Sequence, residues 1–314
     1  MSQQSETIDL SGDRGAQDVR ETIYHVVFFV CAGISVLTTL GILFALTIPT
    51  VQFLGEVPLS EFLLGTEFNP KIRPISFGVL PLVFGTLLIT LGAATVALPT
   101  GLLTAIYLSE YAGQRRRAVL KPMLEVLAGV PTVVYGYFAL VYVTPLLDRI
   151  PGLELGTFNA LSASLVMGIM IIPMVSSISE DSMNAVPDSL RNGAYGLGAT
   201  KFDVSTSVVV PASISGIAAS YILALSRAIG ETMIVVVAAG QNPRFPSNAP
   251  DLLTSFFEST QTMTSAIVQL GLSDLSGGTT GYRALFAIAL TLFAMTMTLN
   301  LVSDFVAQRY QEEY

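Results

Sequence analysis

The run Leu225-Ser-Arg-Ala-Ile-Gly-Glu-Thr-Met-Ile-Val235 sets an arginine and a glutamate inside a long apolar segment. Charge in a lipid-facing helix is costly unless it is paired or wetted, so these residues mark a functional position. Their segment, 212–239, is the fifth of six apolar blocks, after 24–50, 75–109, 126–147 and 155–179 and before 284–303. A helix needs roughly 20 apolar residues to cross a bilayer. The blocks therefore predict an all-α integral membrane protein with six transmembrane helices over 21–310.

Composition agrees. The 314 residues are 52% hydrophobic and 12% charged, with a mean hydropathy of +0.65, against about 25% charged in soluble domains. A single cysteine, Cys31, and a single histidine, His25, exclude a disulfide scaffold and leave no metal site to expect. A net charge of −8 argues against nucleic acid as a partner.

Within the fifth block, Arg227 and Glu231 are four residues apart, share a helical face and can pair. A helix starting near Pro211 would carry Arg227 roughly 24 Å along its axis, past the bilayer midpoint toward the outside. Ser213, Ser215, Gly216, Ala218, Ala219 and Ser220 give that helix close-packing faces. A guanidinium fork suits an oxyanion, ideally phosphate. Glu231 would neutralise Arg227 when the site is empty, and Thr232 completes the expected substrate path. A structural salt bridge buried between helices is the competing reading.

Outward from that run, residues 1–20 read as a disordered polar tail, 311–314 as a short second tail, and 24–50 as a retained anchor. Segments 52–73 and 241–283 read as polar outer loops. The charge-free stretch 75–109 is too long for one simple span, so part of it is expected to be re-entrant, interfacial or tilted, with Pro81 and Pro99 as breaks. Pro131 lies inside the third block and Pro173 near the end of the fourth. With the N-terminus inside, nine Lys and Arg fall on inner segments and five on outer ones. That bias places both termini in the cytosol of a multi-pass plasma-membrane protein.

The loop 180–211 carries its own signals. Pro187 and Asp188 open a helix, Gly196 and Gly198 stop it, and Thr200-Lys-Phe-Asp203 has capping-box spacing for a second helix. A helix–glycine–helix hairpin on the cytosolic face is expected, and an ordinary interfacial hairpin is the alternative. The order Gly-x-x-x-x-Gly-Lys fails between Gly193 and Lys201, because Ala199 and Thr200 intervene, so the chain is expected to bind no nucleotide itself.

Asn192-Gly-Ala-Tyr-Gly-Leu-Gly198, followed by Val208 and Pro211, resembles the EAA loop of ABC-importer permeases. Asn192 and Gly193 replace the Glu and first Ala of that pattern, Ala194 is kept, and Val210 stands for Leu. Three further runs, 97–111, 127–137 and 225–233, resemble the phosphate-specific ABC permeases; of these, the Pro131-Thr-Val-Val-Tyr-Gly136 run is the most specific. The resemblance implies the type I, MetI-like importer architecture. It implies an ATPase-coupling loop carrying Asn192, Gly193, Ala194, Gly198, Lys201 and Pro211. It also implies a sister permease, an ATP-binding subunit and an extracytoplasmic phosphate-binding protein as partners, with lipid around the spans. The chain itself would be non-catalytic and hold no cofactor, ATP and Mg residing on the ATPase partner. A sulfate or molybdate permease is the nearest alternative. An ion-gradient-driven transporter would show inverted repeats or paired broken helices, and no convincing internal repeat is found; an integral-membrane enzyme would need a metal or nucleophile motif at a membrane face, and none is found.

Overall fold

A computed structural model describes residues 14–309, except 275 and 277. The expected tails at 1–13 and 311–314 lie outside the described residues. Residues 14–20, expected to be disordered, are instead the first turns of α1 (Arg14–Leu54). Nothing between Gly15 and the apolar run interrupts a helix, and the span segment Val19–Leu54 shows no buried residue in its apolar window. Its side chains point away from the rest of the chain, and its main neighbour is the last helix.

The first outer loop is more structured than a linker. After α2 (Leu59–Leu64), strands β1 (Phe68–Asn69) and β2 (Ser76–Phe77) form a short antiparallel ribbon with Phe68 opposite Phe77. Phe53 packs edge-on against Phe62 and Phe77, with ring centroids 5.3 Å and 5.4 Å apart, closing a cap at the end of α1. The ribbon takes up only the first few residues of the charge-free stretch. The remainder is one continuous helix, α3 (Leu80–Ile106) extended by a π turn to Tyr111, 32 residues without a sharp bend and longer than an upright crossing needs. Pro81 sits in the first turn, where a missing N–H is no loss; Pro99 is carried inside the helix.

The third block does break. α4 (Gln114–Gly129) ends at Val130, whose ψ of 131° is the extended geometry a following proline imposes. Past Pro131, α5 (Thr132–Phe138), a π turn and α6 (Thr144–Leu147) run at 88° to α4. α7 (Ala160–Asn184) starts five residues later than expected, capped by the Asn159 side chain accepting from the Ser162 amide at 2.7 Å. α8 (Asp188–Gly196) and α9 (Lys201–Val204) form a hairpin leading through a π turn into α10 (Val210–Ala212). A 70° bend at Ser213 then opens α11 (Ile214–Ile229). The fifth block breaks again before α12 (Met233–Ala238).

The segment 241–283 is only partly a loop. It contains α13 (Ala249–Thr254) and α14 (Met263–Gly271), and residues 260–266 are buried. The Met263 amide donates to Thr86 Oγ1 of α3 at 3.0 Å, so this stretch is core rather than loop. α15 (Thr280–Arg309) closes the chain.

Four helices are long and apolar enough to cross a membrane, and six segments are when each bent pair counts as one. The centre of the bundle is the α3–α7 contact, completed by α5, α11 and α12 around Ile89, Met167, Ile171 and Ile234. α3 and α7 approach closely because small residues line the seam: a Cβ on Gly101 would fall 2.6 Å from Val175 Cγ1.

Candidate functional site

α11 carries Arg227 in its last turn. Its depth is set by its packing on α7, where Ser220 and Ser179 hydroxyls meet at 2.8 Å. Seven residues further along an antiparallel pair, Arg227 comes level with Met170, Pro173 and Met174, the middle of α7. The helix begins at Ile214 after a bend and not at Pro211, so Arg227 lies roughly 20 Å along it.

Arg227 is exposed to a cavity of about 410 Å³ whose polar lining includes Lys121, Glu125, Ser177 and Glu180. The expected Arg227–Glu231 pair does not form. Four-residue spacing brings side chains together only along an unbroken helix, and α11 ends at Ile229. Glu231 lies in the break, almost buried, where Oε1 accepts from the Met233 amide at 3.1 Å and the Ile234 amide at 3.4 Å. Its carbonyl accepts from Thr264 Oγ1 at 2.9 Å, fixing the break against α14. Thr232 hydrogen-bonds back to the Gly230 carbonyl at 3.3 Å. Glu231 therefore serves as a cap for α12, and Arg227 has no salt-bridge partner among the described residues.

Capping needs an acceptor oxygen, not a charge. Glu231→Gln is therefore expected to preserve the melting temperature, whereas Glu231→Ala should lose about 1 kcal/mol of stability. Equal losses in the two variants would assign the effect to the charge.

The hairpin follows its local sequence signals closely. Pro187 precedes α8 in extended geometry, Asp188 sits in the first turn, and the chain reverses at Gly198 with φ +87°. The Gly198 amide donates to the Tyr195 carbonyl at 3.0 Å and the Ala199 amide to the Ala194 carbonyl at 3.1 Å, satisfying the helix end. Thr200 and Asp203 form the reciprocal capping box that starts α9. Asn192, Gly193, Gly198 and Lys201 are exposed. Ala194 instead packs inward on the cluster of Ala105, Met183, Val204 and Ile217. Lys201 Nζ stands 5.2 Å over the Tyr111 ring, and Pro211 is exposed in α10, just before the bend. Leu197 is 92% exposed and Phe202 66%, so the tip of the hairpin presents apolar side chains outward.

Residues 97–312 match the family model described as "Binding-protein-dependent transport system inner membrane component". That range holds the hairpin, Arg227 and the last span. The chain belongs to this family. A Bacillus subtilis (strain 168) protein, "Probable ABC transporter permease protein YqgH", is 31% identical over 303 residues, covering 96% of this chain and 95% of the relative. A Haemophilus influenzae "Phosphate transport system permease protein PstC" is 31% identical over 273 residues, covering 80% of this chain and 82% of the relative. Among solved structures, a bacterial alginate ABC transporter in complex with an alginate-bound periplasmic protein has a chain that aligns with TM-score 0.64 at 14% identity. The alignment covers 95% of this chain and 98% of that one, a likeness of fold.

Two ionic clusters of this binding-protein-dependent permease escaped the sequence reading. Arg191, mostly buried on α8, reaches Glu110 at 3.2 Å at the end of the α3 span and donates to the Met183 carbonyl at 2.7 Å. It also contacts the Val186 carbonyl and Asp188. This arginine fastens the hairpin to α3 and α7 together. The second cluster joins α7 to α4: Glu180, wholly buried, lies 2.5 Å from Arg117 Nη2 and 3.3 Å from Lys121 Nζ. The one available signal was an acid at the end of an apolar block, but a fourth span ending at residue 179 placed Glu180 in the loop. The basic partners read as an ordinary inner-face run.

Arg191→Ala removes the cation from Glu110, which is 6% exposed and keeps only the Ser109 hydroxyl at 3.1 Å. Breaking a buried pair from one side costs about 3 kcal/mol, so a lower melting temperature and faster proteolysis within the hairpin are expected. Unchanged protection would show that α8 is held by its apolar contacts alone.

Proposed function

We propose that this chain is the PstC-like transmembrane permease subunit of an ATP-driven importer of inorganic phosphate. The observation that carries the reading is Arg227: a guanidinium at mid-depth in the bundle, facing a cavity and left unpaired because Glu231 is engaged in capping. A planar fork of donors in a sheltered space binds a tetrahedral oxyanion by paired, charge-assisted hydrogen bonds. The phosphate-transport name of the Haemophilus influenzae relative favours phosphate as the oxyanion.

In this reading the chain lines a path shared with a PstA-like sister permease. It receives phosphate from a PstS-like extracytoplasmic binding protein and is coupled through the 180–211 loop to a PstB-like ATP-binding subunit. ATP and Mg are bound and hydrolysed on that partner, so the chain has no catalytic residues. Both termini face the cytosol, as the Lys and Arg distribution favours. The apolar hairpin tip at Leu197 and Phe202 is the surface offered to the ATPase.

Uptake of radiolabelled phosphate at micromolar concentration, by cells with and without the chain, tests the reading with sulfate and molybdate run in parallel. Loss confined to phosphate supports it. Loss of sulfate or molybdate uptake would keep the permease and change its cargo, and unaffected uptake of all three would remove the function.

A further inference from the structure

We propose that Arg117 and Lys121 form a second oxyanion position, reached from the Arg227 cavity through Lys121, which lines it, and that Glu180 occupies it as a tethered substitute when no anion is present. The inference rests on the reading of this chain as an oxyanion permease.

Three observations carry it. Lys121 and Glu180 line the same cavity as Arg227, so an anion leaving the arginine meets them without crossing apolar packing. Its volume of about 410 Å³ exceeds by far the roughly 30 Å³ share of one water, so a small anion fits with part of its hydration. Second, Glu180 is 0% exposed, and its two oxygens face Arg117 Nη2 at 2.5 Å and Lys121 Nζ at 3.3 Å, one cation each. The carboxylate is held by these two cations, and a small tetrahedral anion, with more acceptor oxygens, can compete for the same donors. Third, those cations are accessible, with side chains 39% and 33% exposed for Arg117 and Lys121. They stand on α4, a helix with no buried residue, set at 88° to the segment after it.

The electrostatics permit exchange. Lys121 is also 3.4 Å from Asp181, and Glu125 lines the cavity, so carboxylates already balance the cations and no large positive trap exists to retain the anion. As the anion passes from Arg227 to Arg117 and Lys121, Arg227 is freed. It becomes the cation across the cavity toward which the displaced Glu180 carboxylate is drawn. Glu180 thus restores the empty state by returning to Arg117 and Lys121, which expels the anion from them.

The test uses the full transporter purified with its partner subunits, assembly being followed by size exclusion. Glu180→Gln removes the competing charge at nearly constant shape. It is expected to raise the radiolabelled inorganic phosphate retained by the complex roughly tenfold, the scale of one charge-assisted contact, and to slow uptake. Adding Lys121→Gln to that variant should abolish the extra retention. Wild-type retention in Glu180→Gln, with assembly intact, would overturn the proposal and leave the cluster a structural brace. If Glu180→Gln does not assemble, the Arg117→Gln, Lys121→Gln double variant decides: changed single-turnover release of phosphate supports the second position, and unchanged release overturns it. Extra retention of labelled sulfate instead of phosphate would support the position while refuting phosphate as cargo. Absence of any oxyanion uptake by the wild type would refute the reading beneath it.

Discussion

Arg227→Ala is expected to lower phosphate uptake about a hundredfold or more, the effect of deleting one preorganised charge contact in a sheltered site, while the transporter still assembles. The structure separates those two outcomes. Arg227 is exposed to the cavity and pairs with no carboxylate among the described residues, so its removal strands no buried charge. The helix it stands on is held by other groups, namely the Ser179–Ser220 hydroxyl contact and Tyr221, which donates to the Leu98 carbonyl at 3.3 Å. Arg227→Lys keeps the charge but loses the fork, and is expected to retain partial uptake. Uptake measured beside membrane abundance checks the prediction. Loss of abundance matching the loss of uptake would make Arg227 a structural residue, and normal uptake would remove it from the path.

Gly198→Val is expected to separate ATP hydrolysis from transport. At φ +87° a β-branched side chain is strained by on the order of 1–3 kcal/mol. No neighbouring atom lies within 4 Å of a Cβ there, so the strain is in the backbone and not in packing. It is relieved by re-aiming α8 against α9, which moves Leu197 and Phe202 from any surface they dock on. Phosphate transported per ATP hydrolysed should fall about tenfold, the response to ~1.4 kcal/mol of lost coupling. Gly198→Asn, tolerated at positive φ, should be near normal. Equal coupling in both variants would show that the hairpin is not the coupling element.

Both predictions start from features legible in the linear chain. The six apolar blocks, the unusual arginine and the hairpin signals Pro187, Gly198 and Thr200 to Asp203 are local. Each is decided by a few neighbouring residues acting through hydration, proline geometry or capping. Such reasoning carries over to the structure wherever the backbone stays regular. It fails where a helix breaks. Arg227 and Glu231 are neighbours by helical arithmetic, but the chain leaves the helix at Gly230, and the Glu231 carboxylate is drawn to the free amides of Met233 and Ile234. Pro131 was visible, yet the near right angle it creates between α4 and α5 depends on the packing of each half.

By itself, then, the sequence determined the membrane class, the apolar blocks that make the four to six candidate spans, and the reversal at Gly198. The tertiary structure alone decided which charges meet. Arg191 with Glu110, and Glu180 with Arg117 and Lys121, are joined across helices 81 residues and about sixty residues apart in the chain. It alone also folded 260–266 into the core. The physical reason is that capping and helix start signals act within a turn or two, whereas the partner of a buried charge is set by the register of packed helices. That register is written in the summed fit of small residues along whole seams.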